Sequence, residues 1–424
     1  MGHYHMHKRC SVHRLWFSGI ADLVLVMLLF LTGVRAEPSI EIKFELTSGD
    51  RIVYYGGTLL ERDRHYGILE TMFRTRFPNR QLTFRNLAWP GDTVYTQLRP
   101  LNFGNMEQHL REQRPSVILV CFGMTEAYQG RAGLDSYTKA YARQLSMLGK
   151  LTSRIIVLSP IRQEFLGPPL PDPKTYNDHV ALYHAATRQL VAKMKLPYID
   201  LYSYLIPDQR ADPPLTENGI HLTRYGYWRL SELLAQQLGL SERWEVTLDF
   251  KKKAVISARG TRVENVEWLE EGLRFTAHDQ VLPNPAPEGS PADADEQAAQ
   301  RRLTIDGLPD GQYQLFAENQ LVAQGSSVQW SRGIVLVRDS TYQQARKLRE
   351  IVIEKDILFF HRWRAHNGEY IYGRRSKPGG GNSGNPTFPA EFAELDRLLE
   401  EMDRRLDEQA KPRPIHYRLR RVTP

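Results

Sequence analysis

The sequence predicts an α/β protein: a doubly wound parallel sheet of five strands, then a second, smaller β-sandwich domain and C-terminal helices. Three observations carry that prediction. From Arg51 to about Leu240, apolar runs of strand length alternate with segments of helical period, the pattern of βα units that wind a parallel sheet with helices on both faces. After Leu240 the runs become short, alternate apolar with polar and are parted by turn residues, as in a small sandwich. From Tyr342 onward, helix-period and charged segments return.

The chain begins with an address. Lys8, Arg9 and Arg14 precede the apolar run Leu23 to Leu31, and Val34-Arg35-Ala36 fits a small-residue cleavage site. Residues 1–36 are therefore expected to be a secretory signal peptide, removed before Glu37. Counted at its widest, from Ile20 to Val34, the apolar stretch is shorter than the about 20 residues a bilayer needs. The expectation is export, to the periplasm or the extracellular space, with no stable membrane span after signal removal.

Lys8, Arg9, Arg14, Asp22 and Arg35 leave with the signal, a net +3, so the charge falls from +7 to +4. The remaining Lys and Arg are interspersed with acids, which argues against a nucleic-acid surface. Of the two cysteines, Cys10 lies in the signal and only Cys121 stays. No intramolecular disulfide is then available, and stability must come from core burial.

The first domain, residues 37–240, takes its strands from Ile52 to Tyr55, Leu82 to Leu87, Val117 to Phe122, Ile155 to Leu158 and Tyr198 to Leu201. Helices are expected over Tyr66 to Arg76, Leu134 to Leu151 and Tyr176 to Met194. In the last, Tyr176, Val180, Tyr183, Leu190 and Met194 form one apolar stripe. A sheet of this kind binds its ligands at the carboxyl ends of the strands.

The second domain, residues 241–340, offers strands at Trp244 to Phe250, Val266 to Thr276, Arg302 to Ile305, Gly311 to Glu318, Val322 to Gln329 and Ile334 to Val337. Within it, "PNPAPEGSPADAD" from Pro283 to Asp295 is proline-rich and polar, so residues 283–300 read as a disordered loop. Residues 341–424 read as a helical and aromatic-basic tail packing back on the first domain. It comprises a helix near Tyr342 to Lys355, the segment "LFFHRWRAHNGEYIYGRRS" from Leu358, a glycine-rich stretch from Lys377 to Pro386 and a charged helix from Pro389 to Glu408.

Four short blocks stand at strand ends or ahead of helices: "YYGGTLLER" with Thr58, "NLAWPGDTV" with Gly91, "CFGMTEAY" with Thr125, and "LTENGIHLTRYGYW" with Asn218 and His221. Together they resemble the SGNH, or GDSL-type, hydrolase family, over roughly residues 49 to 240. The Gly-Ile-His-Leu-Thr run ahead of a final helix is the most specific part of the likeness. The resemblance implies a flavodoxin-like fold and ester hydrolysis. It implies a nucleophile at Thr58, oxyanion donors at Gly91 and Thr125, and the histidine pair at Asn218 and His221. Thr58, Thr125 and Asn218 stand where the family carries Ser, Asn and Asp, and Gly57 where its first block carries Asp. The whole mature chain also resembles a bacterial subgroup of exported SGNH-like proteins with such altered blocks and a "FFHRWR" tail.

The residues themselves leave two readings open. A threonine hydroxyl can be activated by an imidazole, yet Thr58 could equally cap the helix after the glycine turn. His221, in a loop ahead of a helix, can act as general base. Asn218 can orient it without supplying a negative charge, which Glu217 or Asp212 of the same loop could restore. Gly91 could be a turn glycine, and Thr125-Glu126 a solvated helix start or capping pair.

In the tail, His361, Arg362, Trp363, Arg364 and Asn367 are candidate substrate-binding residues through stacking and multiple hydrogen bonds; the competing reading is a strap buried against the first domain. The leading expectation is an exported hydrolase cleaving an ester, deacylating a polysaccharide or a small-molecule ester. The alternative is a catalytically inactive protein of the same fold that binds glycan or a protein partner. Histidines, cysteines and carboxylates show no metal-ligand spacing, so no metal or other cofactor is expected.

Overall fold

The computed structural model describes residues 44–99, 104–205, 213–240, 243–298, 300–364 and 389–422. The expected signal peptide lies outside the described residues. Strands β1 (Arg51–Gly56), β2 (Thr83–Asn86), β3 (Val117–Cys121), β4 (Ile155–Leu158) and β5 (Tyr198–Ile199) pair in parallel in the order β2-β1-β3-β4-β5. β3 is buried along its whole length and β1 at all but its first residue, which is why both read as unbroken apolar runs. Ile52 and Tyr54 face a core shared with helices Ile68–Arg76 and Arg224–Gln237. Val53 and Tyr55 face the opposite core, against helices Leu134–Leu148 and Lys174–Met194. Because β2 and β3 flank β1, the crossovers leave β1 in opposite directions and open a crevice at the strand ends.

The remaining strands are β6 (Trp244–Asp249), β7 (Ala254–Arg259), β8 (Thr261–Leu269), β9 (Gly272–Asp279), β10 (Arg301–Asp306), β11 (Gln312–Ala317), β12 (Gln320–Ser326), β13 (Ile334–Val335) and β14 (Ile415–Arg421). They form two sheets, β13-β10-β6-β7 and β12-β11-β14-β9-β8, around a core that includes Trp244, Phe275, Leu315, Trp330 and Tyr417. The run Val266 to Thr276 is two strands rather than one, because the chain turns at Glu270-Glu271. β14 sits between β9 and β11. The end of the chain therefore completes the sandwich instead of continuing along the first domain.

Residues 283–287 are buried and Ala294–Ala298 form a helix, which corrects the expectation of a disordered loop. Asn284 is fully buried. Its amide donates to Ser231 Oγ at 2.9 Å and Glu232 Oε1 at 2.8 Å, and its carbonyl accepts from Trp228 Nε1 at 2.9 Å. The Ala286 N–H donates at 2.7 Å to Oδ1 of Asp295, in the first turn of the helix Ala294–Ala298. Polar and proline-rich composition does not prevent burial when side chains from a neighbouring helix satisfy the backbone.

Two helices of the tail, Ser340–Trp363 and Pro389–Gln409, lie against the first domain. Phe359, Trp363 and Leu399 join the second of its cores. Arg74 donates to Glu70 at 2.8 Å, Asp403 at 3.0 Å and Asp407 at 2.7 Å, while Arg85 meets Asp403 at 2.9 Å. Lys355 pairs with Glu70. Removing one member of such a buried set would leave an uncompensated charge. Asn367 and the stretch Lys377 to Pro386 lie outside the described residues. Among those described, no helix is long and apolar enough to cross a membrane.

Candidate active site

The elbow after β1 exists because Gly56 is a glycine. It adopts φ +150°, and a Cβ there would lie 2.3 Å from the Cys121 carbonyl oxygen, far inside van der Waals contact. β1 and β3 can thus end side by side, with the Gly57 N–H directed at the Cys121 carbonyl at 3.4 Å. The short helix Thr58–Glu61 starts at once, with Gly57 as its N-cap and no side-chain cap. Thr58 is the first helical residue, and its hydroxyl does not cap the helix. The Tyr227 hydroxyl donates to the Leu59 carbonyl at 2.6 Å and fixes the elbow from beneath.

The second and third blocks are joined by Glu126. Its carboxylate is buried and accepts the Val94 N–H at 2.7 Å and the Gly123 N–H at 2.8 Å. This corrects the reading of Thr125-Glu126 as a solvated helix start: the glutamate is internal, and burial pushes its carboxyl above the usual range. Thr125 is exposed and N-caps the 3-10 turn Glu126–Gly133 without a side-chain hydrogen bond. Gly91 occupies an exposed turn at φ +82°, in the left-handed region that favours glycine. The Asp92 carboxylate grips Arg99 at 2.9 and 2.6 Å and holds that turn in place.

The histidine loop is held by Glu164, whose buried carboxylate accepts the N–H groups of Leu215 at 3.1 Å and Thr216 at 2.7 Å and the Thr216 hydroxyl at 2.5 Å. Thr223 caps the following helix through the Gly226 N–H at 3.0 Å. Within the loop, Asn218 Oδ1 accepts the N–H groups of Ile220 at 3.2 Å and His221 at 3.0 Å, and its amide nitrogen lies 3.2 Å from His221 Nδ1. Burial, then the nearby Arg62 guanidinium, holds the His221 imidazole below its ordinary pKa, against the pull of Glu217 and Glu61. Glu217 is engaged elsewhere: it accepts from Arg62 Nη2 and from the Tyr66 hydroxyl, each at 2.8 Å. Asp212 lies outside the described residues.

A pocket at the strand ends is lined by Gly57, Thr58, Leu59, Asp92, Cys121, Phe122, Gly123, Met124, Thr125, Glu126, Tyr128, Tyr176 and Ile220. Thr58 and Thr125 both line it, with neither hydroxyl committed to a helix cap. Gly91 and His221 adjoin it through Asp92 and Ile220, and no hydrogen bond joins Thr58 to His221. Tyr128 and Tyr176 lie with ring centres 4.5 Å apart and their planes tilted by 36°. Tyr128 is largely exposed at the rim. Cys121 is internal, and burial pushes its thiol up. Among the described residues, no group of three or more His, Cys, Asp or Glu could hold a metal ion.

His361, Arg362, Trp363 and Arg364 are not among the residues that line this pocket. Trp363 is 1% exposed and packs edge-on against Trp89. Arg364 donates to the Ala88 carbonyl at 2.7 Å, reaches Glu61 at 3.4 Å and lies 4.0 Å over the Trp89 ring. Arg362 pairs with Asp396 at 2.9 Å. Residue type alone missed the roles of Glu126 and Glu164 and the Tyr128–Tyr176 contact. Glu126 and Tyr128 lie inside the third block, whereas Glu164 and Tyr176 lie outside all four blocks and carry no local signal.

A family model described as the GDSL-like lipase/acylhydrolase family matches residues 48–229. No curated protein matches the sequence. Among solved structures, a gut microbial diltiazem-metabolizing enzyme is 18% identical, with a TM-score of 0.71 over 90% of this chain and 100% of that one. A putative GDSL-like lipase from Parabacteroides merdae is 15% identical, with a TM-score of 0.37 over 47% of this chain and 99% of that one. A catalytic mutant of an acetylxylan esterase from Geobacillus stearothermophilus is 14% identical, with a TM-score of 0.36 over 46% of this chain and 97% of that one. The first likeness runs through both domains and the tail, and at that identity it is a likeness of fold.

Proposed function

Residues 48–229 belong to the GDSL-like lipase/acylhydrolase family, and from that premise we propose that the protein is an exported ester hydrolase working with a threonine nucleophile. The observation that carries the reading is the convergence of separate blocks on one pocket, lined by Thr58 of the first, Asp92 of the second, Thr125 of the third and Ile220 of the histidine loop. In the proposed reaction, Thr58 Oγ1 bonds to the ester carbonyl carbon while His221 takes its proton. Backbone N–H groups at Thr58 and Gly91 and the Thr125 hydroxyl face the developing oxyanion. The alcohol leaves with the proton from His221, and water then attacks the acyl-threonine, regenerating Thr58 and releasing the acid. The methyl group of threonine stiffens χ1 and crowds this attack, so a slow enzyme is expected.

The basic-then-apolar N-terminus supports export. The exposed Tyr128 ring, backed by Tyr176, favours a substrate with a flat apolar face such as an acylated sugar. A second reading, a catalytically inactive protein of this fold that binds glycan or a partner, is favoured by one observation: an amide, not a carboxylate, faces His221 Nδ1. Turnover of aryl acetates and acetylated oligosaccharides by residues 37–424 separates the two. A hydrolase loses activity in Thr58→Ala and His221→Ala and gains it in Thr58→Ser; absence of turnover in every form, Thr58→Ser included, refutes the hydrolase.

A further inference from the structure

We infer that Asn218 locks His221 in the tautomer that carries its proton on Nε2, so that the imidazole enters the site as a hydrogen-bond donor and not as a ready base. The argument turns on which end of the Asn218 amide faces the ring. Its oxygen receives two backbone N–H groups, from Ile220 at 3.2 Å and His221 at 3.0 Å. Turning the amide over would aim its NH2 group at both of these donors and lose two hydrogen bonds. The oxygen is thereby fixed, and the nitrogen is the atom 3.2 Å from His221 Nδ1. An amide nitrogen can only donate, so Nδ1 of the neutral ring must accept, and its single proton sits on Nε2.

The nearby acid does not reverse this preference, because Glu217 is bound to Arg62 and Tyr66. The loop is also too well held to swing away: Glu164 grips its start, and the Gly219 N–H donates to Thr216 Oγ1 at 3.0 Å. In a serine–histidine–aspartate site the carboxylate selects the opposite tautomer, leaving Nε2 free to accept the nucleophile's proton. Exchanging that aspartate for asparagine costs about 10⁴ in turnover, chiefly through the wrong tautomer. Asn218 is thus a positioning residue that sets the rate through the proton on His221. Asn218→Asp should release it: a carboxylate can keep accepting the two backbone N–H groups and still receive Nδ1–H.

The tautomer itself does not depend on the hydrolase reading; only the turnover consequence rests on it. The experiment is ¹⁵N NMR of the histidine rings in the mature chain at pH 8, with His221 assigned by loss of its signals in His221→Gln. The expected wild-type pattern is a protonated Nε2 and an unprotonated Nδ1, changing to a protonated Nδ1 in Asn218→Asp. A wild-type ring protonated on Nδ1, or an Asn218→Asp ring still protonated on Nε2, overturns the inference. Aryl acetate turnover is measured on the same samples. A rise of about 10² to 10⁴ with the switched ring supports the inference and the hydrolase together. A switched ring with no turnover supports the inference and removes the hydrolase.

Discussion

Replacing Glu126 by glutamine tests what holds the pocket together. The carboxylate accepts two backbone N–H groups, at 2.7 and 2.8 Å, with the side chain 2% exposed. Both oxygens act as acceptors, so the group is read as ionised. Glutamine keeps one oxygen and turns an NH2 group towards the other donor. One charge-assisted bond is lost and one buried N–H is left unpaired, at a cost of about 3 kcal/mol. That energy falls on the link between the Gly91 turn and the Thr125 turn, so it should open them locally before the domain unfolds. At about 1.4 kcal/mol per decade, the amides of Val94 and Gly123 should exchange with solvent about 10²-fold faster in Glu126→Gln. Hydrogen exchange read by NMR or on peptides spanning residues 91–96 and 122–128 measures this. Protection within threefold of wild type in both segments would refute the reasoning, because the carboxylate would then not be what joins the two turns.

Other expectations follow from named contacts. His221 should titrate below its ordinary value of about 6.5, since burial and Arg62 both disfavour the charged ring. Arg62→Gln removes a positive charge and frees Glu217, so the titration followed by the ring proton shift should move upward; a downward move contradicts the assignment. Trp363→Ala should destabilise the fold by about 3 to 5 kcal/mol, because the indole is buried between Trp89, His109 and Phe359; denaturant titration gives the value. Deleting residues 415–424 removes the strand between β9 and β11, so limited proteolysis should cut the sandwich in the truncated chain and spare it in the full one.

The parallel sheet was legible because strands covered on both faces leave continuous apolar runs such as Val117–Cys121, which no surface segment imitates. β14 was harder to read for a different reason. Ile415, Tyr417 and Leu419 do alternate with His416, Arg418 and Arg420 and point inward, yet their sheet lies far upstream in the chain. Pattern reveals which residues want to be buried, not which distant edge receives them. Residues 283–298 failed in the opposite sense. Composition priced their polar groups as solvated, whereas Asn284 and Ala286 meet partners supplied by helix Arg224–Gln237 and by Asp295.

The candidate site divides along the same line. Thr58, Thr125 and His221 could be named from the blocks that resemble the GDSL-type family, Thr58 and Thr125 following the ends of β1 and β3. What they can do depends on neighbours far away in sequence or on the direction of one amide, and neither is written in a block. The tail shows how this changes the functional argument. Its aromatic and cationic residues have the composition of a sugar-binding platform, but Trp363 is inside the fold, and Arg364 is divided between the Ala88 carbonyl, Glu61 and the Trp89 ring. Glu61 ends the helix that Thr58 begins, so Arg364 ties the tail to the elbow. Among the described residues that line the pocket, the exposed aromatic ring is that of Tyr128, from the first domain itself. Substrate preference should therefore follow changes at Tyr128, while changes at Trp363 and Arg364 should register first as loss of stability.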